Sequence, residues 1–260
     1  MLPENFHSKK KFGQNFLKDK EVVSKIINSV KSCNNQFSLE IGPGFGILTE
    51  NLIKFSEQVL AIEIDNQLVK LLEKKFRSTN NLTLLNQDVL TFDFNSIKQN
   101  KCKWVLVGNL PYNLATQIIL KSLETPSHFE KIVVMVQYEV AKRIIASPRT
   151  KSYGRLSINI QRKADVYLQQ IVPPDCFFPV PAVNSAVLEI TPKHIVRNSK
   201  LDITLDKITK MAFSKRRKTV LNALKPVFVE NDFKKYDIDP QARPEDLSIR
   251  QYESLAKKLV

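Results

Sequence analysis

The chain has 260 residues, of which 43% are hydrophobic and 25% charged, and its 40 Lys and Arg against 26 Asp and Glu give a formal net charge of +14. That length holds one large domain, or a core domain with an appendage, and the composition excludes collagen-like, repetitive and low-complexity chains. The charge points to a polyanionic partner, nucleic acid ahead of an anionic membrane, while three scattered cysteines suggest neither a disulfide framework nor a metal site.

From the N-terminus, Met1 to Phe6 leads without an apolar signal core into the cations Lys9, Lys10 and Lys11, which are read as phosphate-seeking. No run approaches membrane-spanning length, so a cytoplasmic, reducing location and no membrane partner are expected. Apolar, β-branched runs then alternate with amphipathic stretches. They predict strands over 37–41, 58–63, 82–86, 104–108 and 132–137, and helices over 20–31, 47–55, 66–76, 115–123 and 139–146. Two later runs, 166–171 and 186–191, are expected to close the sheet as an antiparallel edge pair. The pattern is that of an α/β protein with a largely parallel sheet.

After the first strand, Glu40-Ile41-Gly42-Pro43-Gly44-Phe45-Gly46 is a glycine-rich turn that lets a ligand approach the backbone. Its G-x-G-x-G spacing departs from the dinucleotide G-x-G-x-x-G. Glu63, at the end of the second strand, is placed to accept both ribose hydroxyls of an adenosine ligand. Asp88, after the third strand, can accept from an adenine amino group; by itself such a residue is more often a helix cap or turn residue.

The fourth strand runs into Asn109-Leu110-Pro111-Tyr112. The N6 lone pair of adenine is delocalised into the ring, so a catalyst must favour the pyramidal amine rather than remove a proton. The Asn109 side-chain oxygen and the Leu110 carbonyl, held by the rigid Pro111, are two acceptors suited to the N6 hydrogens, and Tyr112 offers a stacking face. A simple turn at a strand end explains the same residue types. What favours a site is company: four elements at the carboxyl ends of successive strands line the edge where α/β sheets bind ligands. S-adenosylmethionine suits that edge better than NAD, because the fourth element presents acceptors for an amine.

Further along, Cys176 to Ser185 is a proline-stiffened loop with two aromatic rings, and a flipped base is expected between Tyr112 and Phe177, with Phe178 facing the core. From Lys193 onward the pattern is helix after helix, with 16 Lys and Arg against 9 Asp and Glu, so domains of 1–192 and 193–260 are expected. Lys215, Arg216, Arg217 and Lys218, four successive cations at a helix junction, are read as phosphate contacts.

Taken together, Lys11 to Leu17, Glu40 to Gly44, Asn109 to Tyr112, Tyr153-Gly154-Arg155-Leu156-Ser157, Phe177-x-Pro179-x-Pro181-x-Val183-x-Ser185, Ser214 to Thr219 and Arg243 to Ser248 resemble the small-subunit ribosomal RNA adenine dimethyltransferases. The resemblance spans nearly the whole chain. It implies a Rossmann-like class I methyltransferase sheet with a small C-terminal α-helical domain, and S-adenosylmethionine as cofactor. It further implies Asn15, Leu17, Gly42, Gly44, Glu63, Asp88 and Asn109 as cofactor-binding residues. Asn109, Leu110, Pro111, Tyr112 and Phe177 are implied at the target adenine, with Arg155 joining the lysine and arginine runs on RNA. The expected partner is small-subunit ribosomal RNA within a pre-30S particle, acted on by a monomer. The implied product is N6,N6-dimethyladenosine at two adjacent adenosines in a hairpin loop near the 3′ end. Tyr138 departs from the pattern, standing where a basic residue is expected. Two alternatives stay open: a large-subunit adenine methylase of the macrolide-resistance type, and a catalytically idle nucleic-acid-binding factor on the same fold.

Overall fold

The computed structural model describes residues 14–33, 37–97, 103–193 and 199–260. Lys9, Lys10 and Lys11 lie outside the described residues. The chain divides into two compact units, Met1–Ala141 with Ala164–Lys193, and Lys142–Lys163 with His194–Val260.

In chain order the first unit contributes β1 (Phe16–Leu17), α1 (Lys20–Lys31), β2 (Phe37–Ile41), α2 (Thr49–Leu52), β3 (Gln58–Glu63), α3 (Asn66–Lys75), β4 (Leu82–Asn86), β5 (Trp104–Asn109), α4 (Ala115–Ser122) and β6 (Phe129–Gln137). Helix α5 (Tyr138–Ile144) starts in this unit and ends in the other, which adds α6 (Arg155–Gln161). The chain then returns for β7 (Ala164–Val172), β8 (Phe177–Phe178) and β9 (Ser185–Pro192).

Seven strands form one sheet in the order β4-β3-β2-β5-β6-β9-β7. The first five run parallel, and β9 pairs antiparallel with both β6 and β7, the edge closure expected from the sequence. The middle of this sheet is covered on both faces: every residue of β2 is buried, Ser38 and Glu40 included, as is the apolar run 104–108 of β5. Strands so buried read as largely hydrophobic segments for that reason. Helix α1 covers part of one face with Val22, Val23, Ile26, Ile27 and Val30, and its start is fixed by Asp19, whose carboxylate accepts from Val22 N at 2.8 Å.

The chain leaves β2 for β3 and β4 on one side, then crosses back to place β5 on the other. The connections after β2 and β5 therefore diverge, opening a cleft at the carboxyl ends of these strands. Gly108 lets β2 and β5 approach there. A Cβ on Gly108 would lie 2.5 Å from the Ile41 carbonyl oxygen, a backbone atom that cannot swing aside.

The second unit has its own core, in which Tyr153 and Ile158 pack with Leu205, Phe228, Phe233 and Tyr252. Its C-terminal part folds as α7 (Ser199–Ser214), α8 (Val220–Leu224), α9 (Glu230–Lys235) and α10 (Ile249–Lys258). Helix α10 begins with a capping box, Ser248 Oγ accepting from Gln251 N at 3.2 Å while Gln251 Oε1 accepts from Ser248 N at 2.9 Å.

Several expectations change. A single boundary at 192/193 assigned 142–163 to the first domain, but this segment belongs to the helical unit. Tyr153 and Ile158 are buried in that unit's core, and Arg162 pairs with both Asp202 and Glu253. The helix expected over 47–55 narrows to α2, bracketed by turns in which Gly46 N donates to Pro43 O and Ser56 N to Leu52 O. Helix α6 and the two-stranded ribbon of β1 with β8 had no local signal strong enough to predict them.

Gly108→Ala is expected to lower the unfolding free energy by roughly 1–3 kcal/mol through forced separation of β2 and β5. Gly154→Ala, whose added methyl would meet Phe213 no closer than 3.8 Å, is expected to change it by less than about 0.5 kcal/mol. Chemical denaturation of both variants checks this, and equal losses would contradict it.

Candidate active site

The strand ends meet around one cavity. Its wall includes Asn15, Phe16, Leu17, Gly42, Gly44, Glu63, Asp88, Asn109, Leu110, Pro111 and Tyr112, so all seven expected cofactor residues and four of the five expected at the target base come together.

Gly42 and Gly44 follow β2 with φ of +66° and +59°, left-handed conformations that favour glycine. At Gly44 a Cβ would also come within 2.9 Å of the Phe16 ring. Glu63 ends β3 and is buried, yet its carboxylate is held: Oε2 accepts from Gly44 N at 3.2 Å and Oε1 from Asp65 N at 2.9 Å. Burial pushes the Glu63 carboxyl up, and the two N–H donors pull it back. Each oxygen keeps a second lone pair, the acceptor capacity a ribose diol needs. Asp88 Oδ1 accepts from Leu90 N at 2.8 Å, fixing that carboxylate in the turn after β4. Ile62, Ile64, Leu68 and Val89 provide apolar wall. Apolar faces with carboxylate acceptors at the strand ends fit the adenosyl and ribose parts of S-adenosylmethionine.

Asn109 closes β5, its backbone paired with Met135 of β6. Its Nδ2 donates to the Asn15 carbonyl at 2.6 Å. A backbone carbonyl can only accept, so the amide has one orientation, with Oδ1 turned away from Asn15 as an acceptor. Leu110 N donates to Met135 O at 3.1 Å, which continues the sheet one residue past the strand. The next bonds, from Leu114 N and Ala115 N, go to the Pro111 carbonyl rather than to that of Leu110. Tyr112 is half-buried and its hydroxyl lies 2.7 Å from Ser185 Oγ. Burial raises its phenol above the ordinary value, so Tyr112 stays neutral and is unsuited to accept a proton.

Phe177 is a correction. It is fully buried in the core cluster with Leu17, Val172 and Cys176, and it does not line the cavity. Phe178, expected in the core, is 45% exposed. The cause is strand pairing. Phe177 lies opposite Leu17 and Phe178 opposite Phe16, and opposed residues of an antiparallel ribbon share a face.

Among the expected RNA contacts, Lys215, Arg217 and Lys218 are exposed on the helical unit. Arg216 is half-buried, donating to the Lys151 carbonyl at 2.8 Å and pairing with Glu245 at 3.4 Å. Arg155 is likewise engaged, its Nη2 2.8 Å from Asp206 Oδ1. Tyr138 begins α5 with its N–H donating to the Asn184 carbonyl at 2.9 Å.

Several cavity residues were missed, of which Phe16 and Glu40 are the most informative. Phe16 stands between Asn15 and Leu17 and packs on Phe45 with ring centroids 4.4 Å apart. Glu40 is a fully buried carboxylate in the middle of the sheet, accepting from Thr49 Oγ1 at 2.6 Å. An acid inside the apolar run Phe37-Ser38-Leu39-Glu40-Ile41 was itself a signal, since an ion is seldom buried without a task or a partner.

A family model described as ribosomal RNA adenine dimethylase matches residues 5–260. A ribosomal RNA small subunit methyltransferase A of Pseudomonas aeruginosa is 39% identical over 256 residues, covering 97% of this chain and 94% of the relative. Among solved structures, a dimethyladenosine transferase from Plasmodium falciparum superposes with a TM-score of 0.80 at 26% identity, covering 94% of this chain and 97% of the other. The 23S ribosomal RNA methyltransferase ErmE shares the fold, with a TM-score of 0.72 at 24% identity over 94% of this chain and 99% of the other.

Burial, reinforced by Glu63 and opposed by the Thr49 hydroxyl, pushes the Glu40 carboxyl up from 4.5 to about 7. A raised carboxylate contributes stability in its protonated form, fully present below about pH 4.5 and lost as pH rises through about 7. Glu40→Gln removes this titration. The stability of the variant relative to the parent is therefore expected to grow by roughly 3 kcal/mol between about pH 5 and pH 8. Urea titrations across that range check it, and a pH-independent difference would contradict it.

Proposed function

The chain belongs to the ribosomal RNA adenine dimethylase family, and on that premise we propose how its own residues carry the reaction. The activity is S-adenosylmethionine-dependent dimethylation of adenine in the RNA of the small ribosomal subunit. S-adenosylmethionine supplies, when bound, an electrophilic methyl group.

The observation that carries the residue assignment is the Asn109 amide, whose oxygen is left as an acceptor by the bond from Nδ2 to Asn15. In our reading Asn109 Oδ1 and the Leu110 carbonyl accept the two N6 hydrogens of the target adenine, drawing the nitrogen toward its pyramidal form. Positive charge then develops on nitrogen against two fixed dipoles rather than against water that must reorganise. Tyr112 stacks on the base, and Pro111 holds the Leu110 carbonyl in place. The proton leaves only after the methyl group has arrived, when the amine is acidic, so no general base is assigned. Glu63 accepts the ribose hydroxyls of the cofactor and Asp88 its adenine amino group. Gly42 and Gly44 give it backbone access, with Asn15 and Leu17 also lining the cavity.

We assign the sheet unit to catalysis and the helical unit to holding RNA. Lys215, Arg217 and Lys218 contact phosphates, which gives affinity without sequence choice. Arg216 and Arg155, engaged with carbonyls and carboxylates of their own unit, shape that surface. The finer target is the pair of adjacent adenosines in the hairpin loop near the 3′ end, within a pre-30S particle, met by a monomer in the cytoplasm. The motifs at Tyr153 to Ser157 and Arg243 to Ser248 support this over the large-subunit alternative. Among the described residues no helix is long and apolar enough to cross a membrane.

Undermethylated small subunits and large-subunit RNA, each incubated with the protein and labelled S-adenosylmethionine, test the target. Label is expected only in small-subunit RNA, at two neighbouring adenines, as dimethyladenosine. Label confined to large-subunit RNA would contradict the reading. For the helical unit, replacing Lys215, Arg217 and Lys218 together by alanine is expected to weaken RNA binding. It should also reduce the slope of log affinity against log salt by about 2–3. An unchanged slope in a filter-binding series would remove these residues from the phosphate contact.

A further inference from the structure

The run Phe178-Pro179-Val180-Pro181-Ala182-Val183 takes no part in the reaction as described above. It is apolar throughout, yet Phe178, Val180 and Val183 are 45%, 64% and 45% exposed. Pro179 and Pro181 restrict the backbone and limit how far these side chains can fold away from water. A stiff segment that holds three large apolar side chains in solvent marks a contact surface.

Its anchoring says where that surface lies. At one end Phe178 pairs with Phe16 across the β1 and β8 ribbon, and Lys18 N donates to the Cys176 carbonyl at 2.9 Å. Phe16 and Phe178 share the ribbon face opposite to the one that buries Leu17 and Phe177, and Phe16 lines the cavity. At the other end Ser185 Oγ meets the Tyr112 hydroxyl at 2.7 Å, and Asn184 O accepts from Tyr138 N at 2.9 Å. The segment thus joins two residues of the cavity wall, Phe16 and Tyr112, and so borders the cavity, its own side chains exposed rather than lining it.

We propose that this segment forms a rim of the cavity and receives the nucleotide next to the adenosine undergoing methylation, its base stacked on the Phe178 ring with Val180 beside it. The proposal rests on the adenine methylation reading and adds a subsite to it. An adenosine turned out of its strand leaves its neighbour with one unstacked face. An aromatic ring beside the cavity mouth replaces the lost stack, and does so for any base, because every base has a π face. Continuity with the wall at Tyr112, together with the net charge of +14, commits the occupant to RNA rather than to a second copy of this chain.

The test uses the full-length protein and a hairpin RNA carrying 2-aminopurine at one or the other neighbour of the methylated adenosine. Binding is expected to quench the fluorophore at one of the two positions. Phe178→Leu should abolish that quenching and weaken RNA binding about 10-fold, with S-adenosylmethionine affinity unchanged. Phe178→Tyr should restore both. Quenching that persists in Phe178→Leu, or that occurs at neither position with the parent protein, overturns the proposal. So does unchanged quenching together with a concentration-dependent dimer that Phe178→Leu abolishes, which would assign the patch to self-association. Methyl transfer to the same RNA by the parent protein separates the two layers: where it is absent, the adenine methylation reading fails, and the subsite with it.

Discussion

A single hydrogen bond between residues far apart in sequence, from Asn109 Nδ2 to the Asn15 carbonyl, sets the chemical character of the cavity. An asparagine amide is nearly symmetric in shape and opposite in polarity at its two ends. Turned the other way it would offer donors to an incoming amine and repel it. The Asn15 carbonyl removes that option, because it has nothing to donate. An acceptor edge rather than a donor edge then stands at the end of β5, followed by a second backbone carbonyl at Leu110. In the proposed reading, specificity for an exocyclic amine is in this sense a property of one peptide group on the N-terminal segment.

The bond depends on the sheet for its precision. Asn109 is fixed because β5 is buried and because β6 pairs with it through Met135, and β5 lies against β2 because Gly108 has no side chain to obstruct Ile41. The same crossing that brings β5 beside β2 puts the glycine turn, Glu63 and Asp88 on its other flank. One topological reversal thereby joins the proposed cofactor edge to the proposed amine-binding edge. Glu40 and Glu63 concentrate acidic groups in that join, and burial raises both carboxyls. A cationic ligand offsets part of that cost, a further reason why the cavity suits a sulfonium compound.

Much of this was legible in the residues. Largely apolar, β-branched runs marked the five parallel strands, and order along the chain aligned Gly42, Glu63, Asp88 and Asn109 at their ends, because a parallel sheet places successive strand ends on one edge. What escaped depends on partners remote in sequence. Phe177 and Phe178 are chemically alike, and only pairing with β1 decides that the first enters the core and the second meets solvent. Residues 142–163 look like a continuation of the α/β pattern, and their membership of the helical unit rests on Tyr153, Ile158 and Arg162 finding partners some 40 to 100 positions later. Arg155 reads in sequence as a cation available to RNA, and only the fold sets Asp206 beside it. Local pattern reports which element forms, and tertiary partners decide what a side chain is free to do.

The orientation of the Asn109 amide is tested most directly by single-turnover methyl transfer with Asn109→Ala, alongside the affinities of that variant for S-adenosylmethionine and RNA. If Asn109 Oδ1 acts on the developing ammonium, the rate constant of the chemical step falls by about 10²–10³-fold while both affinities stay within a few-fold of the parent. A rate constant equal to that of the parent, or a loss carried wholly by weaker binding, would contradict the account.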